Sequence, residues 1–125
     1  MSITNAIEVK NLVKTYGDVY ALKNVDLNIA DGEYFVLLGP SGGGKTTLLR
    51  SIGGFIRPDS GTVDIKGKNV DDLPPDKRPT SMVFQGFALF PHMSVSENIG
   101  YGLKLQSMEK DIIETKVNRM MDLVG

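Results

Sequence analysis

No cysteine and no tryptophan occur in these 125 residues, and His92 is the single histidine. Without cysteine there is neither a disulfide framework nor a thiolate metal site, a usage that suits the cytoplasm. A lone histidine with no cysteine cannot complete a zinc-type site, so His92 reads as a solvated loop residue and is assigned no chemistry. Charge of one sign is lacking too: 14 basic against 15 acidic residues leave a formal net charge of −1. That balance gives no basic field to hold nucleic acid by counterion release, and nucleic acid is not expected as a partner. Long apolar runs are also missing. The longest, residues 34–38, is far too short to span a bilayer, and the Met-Ser-Ile-Thr-Asn start has neither the charged nor the apolar region of a signal peptide. The expectation is a soluble chain with no transmembrane segment, long enough for one domain that buries about two-thirds of its unfolded surface. No internal repeat or low-complexity tract appears.

What is present is organised around Gly39-Pro40-Ser41-Gly42-Gly43-Gly44-Lys45-Thr46-Thr47, a full match to the P-loop pattern G-x-x-x-x-G-K-[ST]. Its glycines let the backbone turn so that successive N–H groups point inward at phosphate oxygens. Lys45 adds a point charge, Thr46 offers a hydroxyl to Mg²⁺, and a helix starting beside them brings the positive end of its dipole to the same anion. The nucleotide-binding set read here is Ser41, Gly42, Gly43, Gly44, Lys45, Thr46 and Thr47. Context strengthens it. Residues 33–38 form an apolar run of strand length, and Leu48, Leu49 and Ile52 recur at helical spacing, giving the order strand, Gly-rich loop, helix.

The remaining chain reads as two layers of β-structure meeting at that loop. Ile7 and Val9 alternate with Glu8 and Lys10, and Val25, Leu27 and Ile29 with Asp26 and Asn28, as in half-buried antiparallel strands. Asp31-Gly32 turns the chain into residues 33–38, which are apolar on both faces and so belong at the centre of a covered parallel sheet. The helix after the loop stops at Gly53-Gly54, and residues 62–66 form another alternating strand, ended by Gly67. Residues 71–79 hold three of the six prolines with mixed charges, and read as an exposed connection whose charges are solvated. Residues 81–84 form a short apolar strand with Gln85 at its carboxyl end, where α/β sheets present groups to ligands. Ser94 and Glu97 make a capping pair that starts a helix weakened by Gly100 and Gly102. In a final helix Ile113, Val117, Met120, Met121 and Val124 share one face at core spacing, with Gly125 placed to close it. Phe87, Phe90 and Met93 read equally as core or as an apolar patch for a partner.

From about Ile7 to Gly125 the sequence resembles the ATP-binding-cassette ATPases, in particular importer subunits for polyamines, ferric iron or sugars. The carriers are Tyr16 in Leu12-Val13-Lys14-Thr15-Tyr16-Gly17-Asp18, the P-loop, and Val83-Phe84-Gln85-Gly86-Phe87-Ala88-Leu89-Phe90-Pro91-His92-Met93-Ser94-Val95. The resemblance implies an α/β fold: a P-loop NTPase core with a RecA-like parallel sheet and an N-terminal antiparallel β subdomain over about residues 1–90, then the start of a helical subdomain over about 91–125. It implies ATP and Mg²⁺ as ligands, with Tyr16 stacking on adenine for about 1 kcal/mol. Gln85 would touch Mg²⁺ and the attacking water, so Lys45 and Gln85 are the catalytic residues expected, and Thr46 and Gln85 the metal ligands. It further implies a head-to-tail dimer with a second ATPase subunit, docking on transmembrane permease subunits through the segment after Gln85, and a peripheral position on the cytoplasmic face of the membrane.

The sequence departs from the family pattern in several places. Gly43 and Gly86 stand where many members have serine and a polar or acidic residue. No stretch matches the LSGGQ signature, no four apolar residues run into an Asp-Glu pair, and no switch histidine follows. The expectation is therefore a truncated front half that binds ATP without appreciable turnover. Three rivals stand beside it. One is a small GTPase-like switch, since Asp64-Ile65-Lys66-Gly67 matches D-x-x-G, although N-K-x-D is absent. Another is a cassette ATPase of export, DNA repair or translation. The last is an inactive, self-associating fragment with exposed apolar edges.

Overall fold

The computed structural model describes residues 4–125. They form two compact units, the first ending at Met82 and the second spanning Val83–Gly125.

The first unit is built on a long hairpin. Strands β1 (Asn5–Tyr16) and β2 (Val19–Ala30) pair antiparallel across the turn at Gly17 and Asp18. Both run further than strict alternation foretells, because each carries a bulge that resets the period of two. Asn11, at φ 51°, is the extra residue between the paired positions Val9 and Leu12, and Asn24, at φ 48°, plays that part in β2. The first bulge turns both Val9 and Leu12 inward, where each is fully buried. The amide of Asn11 donates to the Asp26 carboxylate at 2.7 Å. Strand β3 (Ser60–Ile65) adds to the other edge of β1, and the short β4 (Lys68–Asn69) adds to β3, giving the order β2-β1-β3-β4. Helix α1 (Lys45–Gly53) lays Leu48 and Ile52, one turn apart, into a core with Val9, Leu12, Leu22, Val63, Ile65 and Val70.

Three sequence expectations change here. Every strand pair among the described residues is antiparallel. Residues 33–38 and 81–84 enter no ladder: Leu37 packs against the core, but Tyr34 is 94% and Leu38 90% exposed. A strand apolar on both faces needs ladder partners and covering layers, and the described residues bring it neither. The connection at 71–79 is not uniformly solvated either. Its Arg78 is buried, and Asp71 accepts the Val63 amide at 2.8 Å.

The second unit is a helical hairpin of α2 (Val95–Leu105) and α3 (Lys110–Val124). Ser94 caps α2 as its sequence foretells, its hydroxyl accepting the Glu97 amide at 3.1 Å. Gly100 does not weaken α2 so much as let α3 approach: a Cβ there would lie 3.1 Å from Val117 and 3.2 Å from Ile113. Met120 and Met121 are exposed, against their core reading. Two helices bury only the seam between them, and these two methionines lie outside it.

Candidate functional site

The phosphate-loop residues 39–47 come together in the first unit. Lys45 opens α1 and turns its ammonium back across the loop, donating to the carbonyls of Gly39 and of Pro40, the latter at 2.8 Å. The Gly43 amide donates to the Pro40 carbonyl at 3.0 Å, which closes the turn. Gly44 is the N-cap of α1; having no side chain, it leaves the first-turn amides uncapped, and no acidic residue occupies that turn. Those amides have no intrahelical acceptor and sit at the positive end of the helix dipole. An ammonium has three N–H donors, so one remains beside those amides after the two loop carbonyls are served. This is a set of donors suited to an anion, and the exposed Ser41, Gly42, Gly43 and Thr46 leave it open to one.

Gly44 also fixes where the loop sits. At φ 94° it presses on β2 so closely that a Cβ would lie 2.3 Å from the Ala21 carbonyl oxygen and 3.3 Å from the Leu22 side chain. Leu22 is the register partner of Lys14, two residues before Tyr16. The loop therefore docks at a register position two residues, about 7 Å of strand, from Tyr16. That ring is 52% exposed, with the Lys14 ammonium 5.2 Å from its centroid.

A contact that sequence reasoning missed holds this end of β1. Asp59 accepts both the amide and the hydroxyl of Thr15 at 2.7 Å each, and Lys14 lies 3.7 Å from it. The Thr15 hydroxyl, then its amide, hold the Asp59 carboxyl below the usual carboxylate range, with Lys14 adding to the effect. A lowered folded-state pKa means that the latch contributes fully above the ordinary aspartate pKa and is lost only as pH falls through the depressed value. The Thr15 amide resonance should accordingly titrate with a midpoint below the ordinary aspartate range, and Asp59→Asn should abolish that titration. A midpoint at or above the ordinary value would show that the latch does not form.

Gln85 lies in the second unit, exposed in the turn at residues 85–88 and not at the end of a paired strand. Phe87 and Ala88 follow at φ 62° and 51°, leaving Phe87 79% and Leu89 69% exposed. Phe90 and Met93 are half-buried, Phe90 packing on Tyr101 at 4.7 Å between ring centroids. Asn98, which sequence reasoning passed over, ties this loop to α2: its carbonyl accepts the Phe90 amide, and its amide donates to the carbonyls of Phe90, Met93 and Ser94. His92 is exposed, as its solvated reading holds. No group of three or more His, Cys, Asp or Glu among the described residues is placed to hold a metal. A hydroxyl such as that of Thr46 suits Mg²⁺ carried in with phosphates, a cation that commonly takes few protein ligands.

The sequence profile described as ABC transporter matches residues 22–125. The chain belongs to the ABC transporter family. The GTPase-like reading falls with that match, and its Asp64 sits within β3, accepting a hydrogen bond from Asn69 at 3.1 Å. Among curated proteins, this ABC transporter chain is 50% identical over 120 residues to the spermidine/putrescine import ATP-binding protein PotA of Nitratidesulfovibrio vulgaris, covering 96% of this chain and 33% of the relative. It is 54% identical over 126 residues to the PotA of Ruegeria pomeroyi, covering 98% and 34%. The chain thus spans about a third of the length of these relatives. Among solved structures, a dimeric ATP-binding cassette in a post-hydrolysis state, bound to ADP and Pi, superposes with a TM-score of 0.80 at 35% identity, over 90% of this chain and 54% of that one. The fold is that of an ABC cassette. No described helix is long and apolar enough to cross a membrane.

Proposed function

We propose that this chain is the nucleotide-binding part of an ABC importer subunit and that it binds ATP with Mg²⁺. The observation that carries the reading is the uncapped start of α1 with the Lys45 ammonium drawn across its mouth. In this reading the amides of residues 42–47 and Lys45 hold phosphate oxygens, and Ser41 and Thr47 belong to the same loop. Thr46 supplies a ligand to Mg²⁺, while Tyr16 stacks on the base. Bound Mg²⁺ would neutralise phosphate charge, the main electrostatic demand of phosphoryl transfer. Nucleotide binding is the step assigned to these residues, and hydrolysis to the assembled dimer.

The relatives named for spermidine/putrescine import support a polyamine importer as the assembly served. The dimeric state of the solved neighbour supports a second ATPase subunit as partner. Exposed Phe87 and Leu89, beside Gln85, suit a surface that docks on permease subunits at the cytoplasmic face of a membrane. Calorimetric titration with Mg-ATP and with Mg-GTP tests the binding step. Saturable binding of ATP, tighter than that of GTP, is expected; preference for GTP, or no saturation with either, overturns the reading.

A further inference from the structure

We propose that Arg78 is a positioning residue for the phosphate loop, acting through the far end of helix α1; its effect on nucleotide rests on the binding reading above. The side chain is 8% exposed and its guanidinium is spread over four carbonyls. Nη1 donates to Ser51 and Ile52 at 3.0 Å each, Nε to Leu73 at 2.8 Å, and Nη2 to Asp71 at 3.5 Å. Ser51 and Ile52 lie in the last turn of α1, at the negative end of the helix dipole, where the Ser51 carbonyl also accepts the Gly54 amide at 3.4 Å. A planar fork of five N–H donors can serve both helix carbonyls and the connection at once, which the single ammonium of lysine cannot. Gly54, directly after α1, is packed so tightly on the fork that a Cβ would lie 2.6 Å from Nε.

An apolar side chain here would leave the carbonyls that Arg78 serves without donors, so the residue also contributes to stability. Among the described residues no carboxylate forms an ion pair with Arg78. What the arrangement supplies is orientation. The α1 helix has nine residues, about 13 Å of axis, and reaches the core through Leu48 and Ile52. Its start rests on the Ala21 carbonyl through Gly44, and its end is held by Arg78. The hold is anchored in the sheet, because the connection that Arg78 grips also carries Asp71, bonded to the Val63 amide of β3. With the far end released, the helix is free to swing about its buried middle, and Lys45 moves with it.

The test uses the whole chain with Arg78→Gln and Arg78→Lys, read by amide hydrogen exchange, thermal melting, and Mg-ATP calorimetry at a temperature below the measured melting transition of each variant. Arg78→Gln should raise exchange through α1 by about tenfold while leaving the β1–β2 hairpin protected, and should weaken Mg-ATP by about tenfold, with Arg78→Lys recovering part of both. Exchange that rises equally in the hairpin, with affinity of the folded protein unchanged, would show a merely structural residue and overturn the proposal. So would α1 exchange and affinity both equal to wild type. A wild-type chain that binds no Mg-ATP sinks the nucleotide reading alone, and exchange at Lys45 to Leu48 then decides whether Arg78 holds the loop's helix.

Discussion

Replacing Lys45 with alanine should weaken Mg-ATP binding by at least about a hundredfold while hardly changing the stability of the fold. The two effects separate because of what the ammonium touches. Its partners in the structure are the carbonyls of Gly39 and Pro40, both on an exposed loop. Water replaces an ammonium at exposed carbonyls at little cost, so the urea midpoint should move by no more than about 0.5 kcal/mol equivalent, as for ordinary surface substitutions. Phosphate has no such substitute. Phosphate draws a second N–H off its exposed loop carbonyl, and two charge-assisted hydrogen bonds, even at the weak end of about 1.5–3 kcal/mol each, amount to about 3 kcal/mol, more than a hundredfold in affinity. Calorimetry and urea melting on the same preparation check both halves. Affinity retained within about threefold would mean that the ammonium stays with its loop carbonyls and never meets the phosphate.

The loop and its helix were legible because their signals are local. The P-loop pattern, the i to i+4 spacing of Leu48 and Ile52 and the stop at Gly53-Gly54 all lie within sixteen residues, and α1 ends at Gly53 with Gly54 as its cap. Alternation likewise located the strands of Ile7, Val25 and Ile65. It fell short where bulges at Asn11 and Asn24 shift the period by one, which no count of alternating residues can follow. Residues 33–38 have a strand's composition, but pairing is a property of two segments, and composition reports on one. Arg78 was hidden for the same reason. Among three prolines and several charges it reads as solvent-facing, and only the folded chain brings the last-turn carbonyls of α1 to it from 26 and 27 residues away. Tyr16 came from resemblance and not from any pattern in its neighbours; the latch of Thr15 to Asp59 spans 44 residues and left no local trace.

Gly44→Ala should cost about 2–5 kcal/mol of stability, where Gly42→Ala costs only about 1–2 kcal/mol. Both glycines have positive φ, 94° and 78°, so both substitutions place a Cβ in a strained backbone conformation. They differ in what that Cβ meets. At Gly42 there is nothing within 4 Å, whereas at Gly44 the Ala21 carbonyl oxygen lies at 2.3 Å. The oxygen is backbone within β2 and cannot turn aside like a flexible side chain, so α1 must withdraw from the sheet or β2 must bend. Withdrawal also pulls Leu48 and Ile52 from the core and carries the first-turn amides away from their present positions, so Mg-ATP affinity should fall with stability in Gly44→Ala. In Gly42→Ala any loss of affinity would instead come from the loop itself, with the urea midpoint falling by less than in Gly44→Ala. Equal destabilisation by the two substitutions would mean that the start of α1 does not rest on Ala21, and that the hairpin carrying Tyr16 and the loop carrying Lys45 are not held in register by this contact.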